Sequence, residues 1–208
     1  MNFHQLRRTI FLGFPLLLAA TPASAHHLMG GAMPVTFIEG LLSGLGHPII
    51  GPNHLAFMIA VGVVVGAGGL NLMLPLVFVA AMAVGVAGHV AGMNIPAIEI
   101  MVALSVLLAG LLIARGRALP LLAWASLFAL AGLLHGYAYG ESIFGAETSP
   151  LGAYLLGLGA IQIVITIGIA LFVRRVGASV PQFGLRLVGA AILGVGLTVF
   201  VERLFPGA

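Results

Sequence analysis

The chain contains no cysteine, no lysine and no aspartate, and only 6% of its residues are charged. Without cysteine there are no disulfides, no thiolate metal sites and no thiol catalysis. Without lysine there is no glycine loop with its phosphate-binding lysine, so this chain is not expected to be driven directly by ATP. The positive balance comes from 8 Arg against 5 Glu. They are too scattered to form a basic patch for nucleic acid. What fills the sequence instead is apolar: 61% of the 208 residues, with a mean hydropathy of +1.22. A soluble domain cannot carry that composition and still cover itself with polar surface. A cytosolic enzyme and a disordered adaptor are excluded. The expected fold is all-α, a polytopic membrane protein, with no enzymatic activity.

Residues 1–25 read as a cleaved signal peptide. Arg7 and Arg8 form its positive start, residues 9–20 its apolar stretch, and Ala23-Ser24-Ala25 its cleavage site. The mature chain, 26–208, is then expected to be one domain, a compact bundle of six transmembrane helices. The apolar runs lie at about 53–70, 72–92, 96–114, 118–138, 151–173 and 184–204. With a secreted N-terminus, Arg115, Arg117, Arg174, Arg175 and Arg186 fall inside and Arg203 outside, as the positive-inside bias requires. That places the protein in a bacterial inner membrane with both mature termini on the outer face. Glycine recurs at four-residue spacing in Gly62/Gly66, Gly88/Gly92 and Gly132/Gly136/Gly140. Such stripes let helices approach closely in lipid, within one chain or between copies in a homo-oligomer.

An ionisable group inside a membrane is costly, so each one is a candidate for function. His47 and His54 flank the outer start of span 1, and His89 lies at the outer end of span 2. Glu99 lies one turn into span 3, His135 at the outer end of span 4 and Glu141 just beyond it. All are expected on the outer side, gathered into one pocket. Imidazoles with a carboxylate suit a divalent transition metal such as nickel, cobalt, copper or zinc. Magnesium or calcium would want more oxygen ligands than the chain offers. His26 and His27 add a candidate metal-capture tail. Glu39 reads as structural, because Thr36-Phe-Ile-Glu39 is a capping box opening a short helix that ends near Gly46. Asn53 reads either as a cap of span 1 or as a ligand.

The stretch from Glu39 to Gly62, with His47, five residues and then Asn53-His54, resembles the signature region of the HupE/UreJ family of nickel and cobalt permeases. The family's pattern has Asp-His where this chain has Asn53-His54. The later run His135-Gly-Tyr-Ala-Tyr-Gly-Glu141 is similar to the family's second block. The resemblance implies nickel or cobalt as the substrate, with copper or zinc behind them, and a link to nickel-enzyme maturation. It also implies that Asn53 removes one negative charge from the site.

On this reading the chain is a secondary permease. It collects a dication at the outer face and passes it inward along Ser105, Ser126, Gln162 and Thr166. Three other readings stay open. A membrane assembly factor would capture the metal without moving it. A cytochrome would hold haem between paired histidines. A protease would need Ser43 or Ser142 as nucleophile, and neither lies in a nucleophile-elbow motif.

Overall fold

The computed structural model describes residues 32–116, 119–176 and 182–205. Every regular element among them is a helix: α1 Phe37–Ile50, α2 Pro52–Ala67, α3 Leu74–Val90, α4 Ile98–Arg115, α5 Leu121–Gly140, α6 Thr148–Val176 and α7 Gln182–Leu204. The expected signal peptide, and His26 and His27 after it, lie outside the described residues. Helices α4, α5, α6 and α7 are each long and apolar enough to cross a membrane. Helices α1 and α2 pass the same test only as a pair, bent by 79°. The protein is a multi-pass membrane protein; among the described residues four helices pass this test of length and hydropathy, or five spans if the bent pair counts as one, so the test does not by itself recover the six expected.

The difference arises at α2 and α3. Helix α2 starts at Pro52 and stops at Ala67, because Gly68 and Gly69 turn the chain there, the latter at φ 60°. Helix α3 has 17 residues, about 26 Å, against a hydrocarbon layer of about 30 Å. Gly92 ends it at φ 83°, where Met93 N–H donates to Gly88 O (3.1 Å) and Gly92 N–H to His89 O (2.8 Å). Those two bonds make a Schellman cap. So Gly88/Gly92 is a helix end and not the packing stripe expected from its spacing: no neighbour lies within 4 Å of a Cβ built at Gly92.

The other glycine stripes do bring backbones together. Gly132 and Gly136 rest on the main chain of Phe78 and Met82, and Gly85 on that of Leu133, so α3 and α5 run parallel. Gly62 and Gly66 rest on Thr166 and Ala170, which sets α2 parallel to the second half of α6. Gly40 and Gly44 rest on Pro150 and Tyr154, which lays α1 along the first half of the same helix. Gly110, Gly189 and Gly196 join α4 to α7 in the opposite sense. These are the directions that helices crossing one layer alternately must have. The centre is apolar and aromatic, with Phe57 against Phe78 (5.3 Å between centroids) and Trp124 against Phe128 (6.0 Å).

Helix α1 opens with the expected capping box. Thr36 Oγ1 accepts from Glu39 N–H (3.2 Å), and Glu39 Oε2 accepts from the N–H of Thr36 (3.1 Å) and Val35 (2.8 Å). Glu39 is thereby committed to structure. The helix continues past Gly46 to Ile50. Contact with α6 through Gly40 and Gly44 offsets the poor helix propensity of its glycines.

Candidate metal centre

The break between α1 and α2 builds the site. Proline disfavours helical backbone in the residue before it, and Pro52 stands at the start of α2. Gly51 is accordingly extended (φ −77°, ψ 111°), and the chain turns there. His47 lies in the last turn of α1 and His54 in the first turn of α2. In an unbroken helix, residues seven apart stand about 10.5 Å apart along the axis. Across the bend the two rings meet edge to face with centroids 6.1 Å apart. Gly51 is needed for this fit, since a Cβ there would lie 2.6 Å from Cδ2 of His54.

His135 joins them from α5. It is fully enclosed, with its Nδ1 2.9 Å from Nδ1 of His54 and its Nε2 2.9 Å from Ser105 Oγ on α4. Below it lie Phe57 (4.8 Å) and Phe78 (5.9 Å), an apolar floor. Tyr139, one turn on from His135, packs its ring on His54 (4.2 Å) and against His47 (5.1 Å). Nδ1 of His47 is held by two hydroxyls, Ser142 Oγ and Tyr154 OH, each at 3.1 Å. Both hydroxyls also donate to the carbonyl of Tyr139, at 2.9 and 3.1 Å. Three imidazoles from α1, α2 and α5 therefore share one pocket, with oriented hydroxyls behind two of them.

Asn53 is buried beside them. The helix cap itself is Gly51, which makes no side-chain bond, while Asn53 Oδ1 accepts from His54 N–H at 2.9 Å. Its carboxamide oxygen thus satisfies a free amide of the first turn.

The remaining predicted ligands lie elsewhere. His89 packs on Tyr137 (4.6 Å) and Phe144 (5.6 Å), and its Nδ1 is buried without a hydrogen-bond partner. Glu99 pairs with Arg203, 3.3 Å from Nη2 to Oε2, which ties the start of α4 to the end of α7. Glu141 is exposed at the end of α5. Among the described residues no three His, Asp or Glu side chains are arranged to hold a metal as they stand. Of the histidines expected in a single pocket, His47, His54 and His135 cluster, and His89 stands apart from them.

Sequence reasoning missed the hydroxyl shell. The sequence places Ser105 on the ion path, offers Ser142 only to the protease alternative, and gives Tyr139 and Tyr154 no role. Tyr139 was legible: four residues after His135, it lies on the same helix face. Nothing in the sequence pointed to Tyr154, which reaches His47 across 107 residues.

The geometry bears on the alternatives. A haem needs its iron between two facing imidazoles, yet His54 and His135 meet nitrogen to nitrogen with no room between them. Ser142 touches His47, but its one proton goes to the Tyr139 carbonyl at the shorter distance, so it is not poised as a nucleophile. Imidazoles beside a carboxamide oxygen are the donor types that suit a borderline dication.

A family profile described as "HupE / UreJ protein" matches residues 14–199. Among curated proteins, "Protein HupE" of Rhizobium leguminosarum bv. viciae is 31% identical over 189 residues, covering 89% of this chain and 95% of the relative. No solved structure matches the chain.

Proposed function

The chain belongs to the HupE/UreJ family, and from that premise we propose that it is a secondary permease for a divalent transition metal, nickel or cobalt. The observation that carries this reading is the pairing of His47 and His54 across a helix break, with Asn53 beside them. Membrane transporters interrupt helices at their ion sites, because irregular backbone is tolerated where it lines a cavity. The metal is collected by the imidazoles of His47 and His54 and by the Asn53 oxygen, while His89, Glu99 and Glu141 lie on its approach. His26 and His27 serve as a capture tail ahead of them.

The onward path runs by Tyr139, Gln162 and Thr166. Among the described residues, the buried Tyr139 hydroxyl and both buried polar atoms of the Gln162 side chain make no well-formed hydrogen bond. Each such atom costs about 1–3 kcal/mol, and a passing hydrated ion offsets that cost. Thr166 Oγ1 donates to Gln162 O at 2.6 Å, one turn further in. Ser126 is exposed and drops out of the path. The membrane potential favours inward movement of two charges by about 4.6 kcal/mol at 100 mV. The metal then feeds the maturation of a nickel enzyme.

Uptake of radioactive nickel, cobalt, copper and zinc by cells expressing the chain tests this reading. Saturable nickel or cobalt uptake is expected, falling at least about tenfold in His54→Ala. It should also fall at acid external pH, because a protonated ring cannot ligate. A parent protein that binds metal when purified yet drives no uptake would be a capture factor, and the permease reading would fail.

A further inference from the structure

Two neutral imidazoles in nitrogen-to-nitrogen contact share one proton, and the tautomer of each is set by what its other nitrogen touches. Here the choice can be traced from the far end. Ser105 Oγ stands 2.7 Å from the carbonyl oxygen of Val102. That oxygen only accepts, so a contact this short requires the hydroxyl proton between them. Ser105 has no second proton. Its Oγ must therefore accept from His135 Nε2–H, at 2.9 Å. With its proton on Nε2, His135 presents a lone pair at Nδ1. His54 must then carry its proton on Nδ1 and donate it across the 2.9 Å contact. The lone pair of His54 is left on Nε2.

We propose that Ser105 and His135 form a hydrogen-bond chain that locks His54 in the Nδ1–H tautomer, so that Nε2 is the nitrogen offered to the metal. The inference deepens the permease reading and rests on it for the identity of the ligand. It also reassigns His135. Both of its nitrogens are engaged by Ser105 and His54, and its ring is enclosed by Phe57 and Phe78. His135 is a positioning residue and not a ligand. The chain spans α4, α5 and α2, so it also couples the His54 ring to the register of two other helices. A reversed chain, with Ser105 donating to His135, would put the His54 proton on Nε2 and block ligation there.

Replacements that keep the two bonds separate positioning from ligation. In His135→Gln the amide oxygen can accept from His54 while the amide nitrogen donates to Ser105, the orientation that the Ser105 acceptor selects. His135→Leu fills the space and does neither. Ser105→Thr keeps the hydroxyl, and Ser105→Ala removes the acceptor that sets the direction.

Two readouts on the full-length protein in detergent or nanodiscs test the proposal. The first is the nitrogen-15 spectrum of histidine-labelled protein without metal, with His54 assigned by loss of its signals in His54→Gln. It should show His54 protonated at Nδ1 and not at Nε2. That state should persist in Ser105→Thr and give way to the Nε2–H form in Ser105→Ala. The second is calorimetric nickel binding. His135→Gln should bind within about threefold of the parent, while His135→Leu and Ser105→Ala weaken binding by about tenfold or more. A His54 protonated at Nε2 in the parent would overturn the chain. A His135→Gln as weak as His135→Leu would make His135 a ligand and overturn the reassignment. If the parent bound no nickel at all, the permease reading would fall while the nitrogen-15 result still decided the tautomer.

Discussion

At Gly51 a hydrogen stands where any other residue would drive a carbon into the His54 ring. At Asn53, two residues on, an amide replaces the acid of the family pattern. Both lie at the first turn of α2, where free N–H groups make a partial positive charge. A carboxylate at position 53 would keep the bond to His54 N–H and gain about 0.3–1 kcal/mol from the helix end. It would also add one negative charge beside the metal. Asn53→Asp is therefore expected to tighten nickel binding by about tenfold, measured by calorimetry. An unchanged affinity would remove Asn53 from the ligand set. His47, His54 and His135 stand out in the sequence, because ionisable residues are rare in an apolar chain. The hydroxyls around them do not, because they approach from other helices.

Between elements, close contact depends on glycine, and the spacing rule identified it only in part. Gly62/Gly66 and Gly132/Gly136 behave as expected, each resting on a neighbour's backbone. Gly88/Gly92 has the same spacing and ends a helix instead, while Gly40, Gly44, Gly110 and Gly189 make close contacts that drew no notice. The reason is physical. These helices are apolar on every side, so periodicity does not mark the face that meets a neighbour. Helix positions were legible from length and hydropathy, and all six predicted runs contain a helix. The sharp bend before α2 was not, because Pro52 sets a helix boundary but not the angle across it. The two kinds of glycine should respond differently to alanine. Gly92→Ala meets open space and should cost only about 1 kcal/mol for its left-handed backbone. Gly136→Ala would press on the Met82 main chain and should cost about 3 kcal/mol, by unfolding in mixed detergent. Equal losses would contradict the packing assigned to α3 and α5.

Across the whole molecule, the clustered histidines and three of the arginines, Arg174, Arg175 and Arg186, lie at opposite ends. The α1–α2 break, the end of α5 and the start of α6 gather His47, His54, His135, Ser142 and Tyr154. At the other end Arg174 hydrogen-bonds the Leu70 carbonyl, and Arg186 lies against Gly116. Trp124 and Leu112 line a cavity of about 240 Å³ beside Arg186. The proposed entry for cations needs that asymmetry, with the arginines on the inner face.

The most direct test is X-ray absorption at the nickel edge of loaded, purified protein. Imidazole scattering from at least two rings should appear, with one ring lost in His47→Ala and one in His54→Ala. Nickel bound without imidazole, or with the parent's full ring count retained in either variant, would contradict the site.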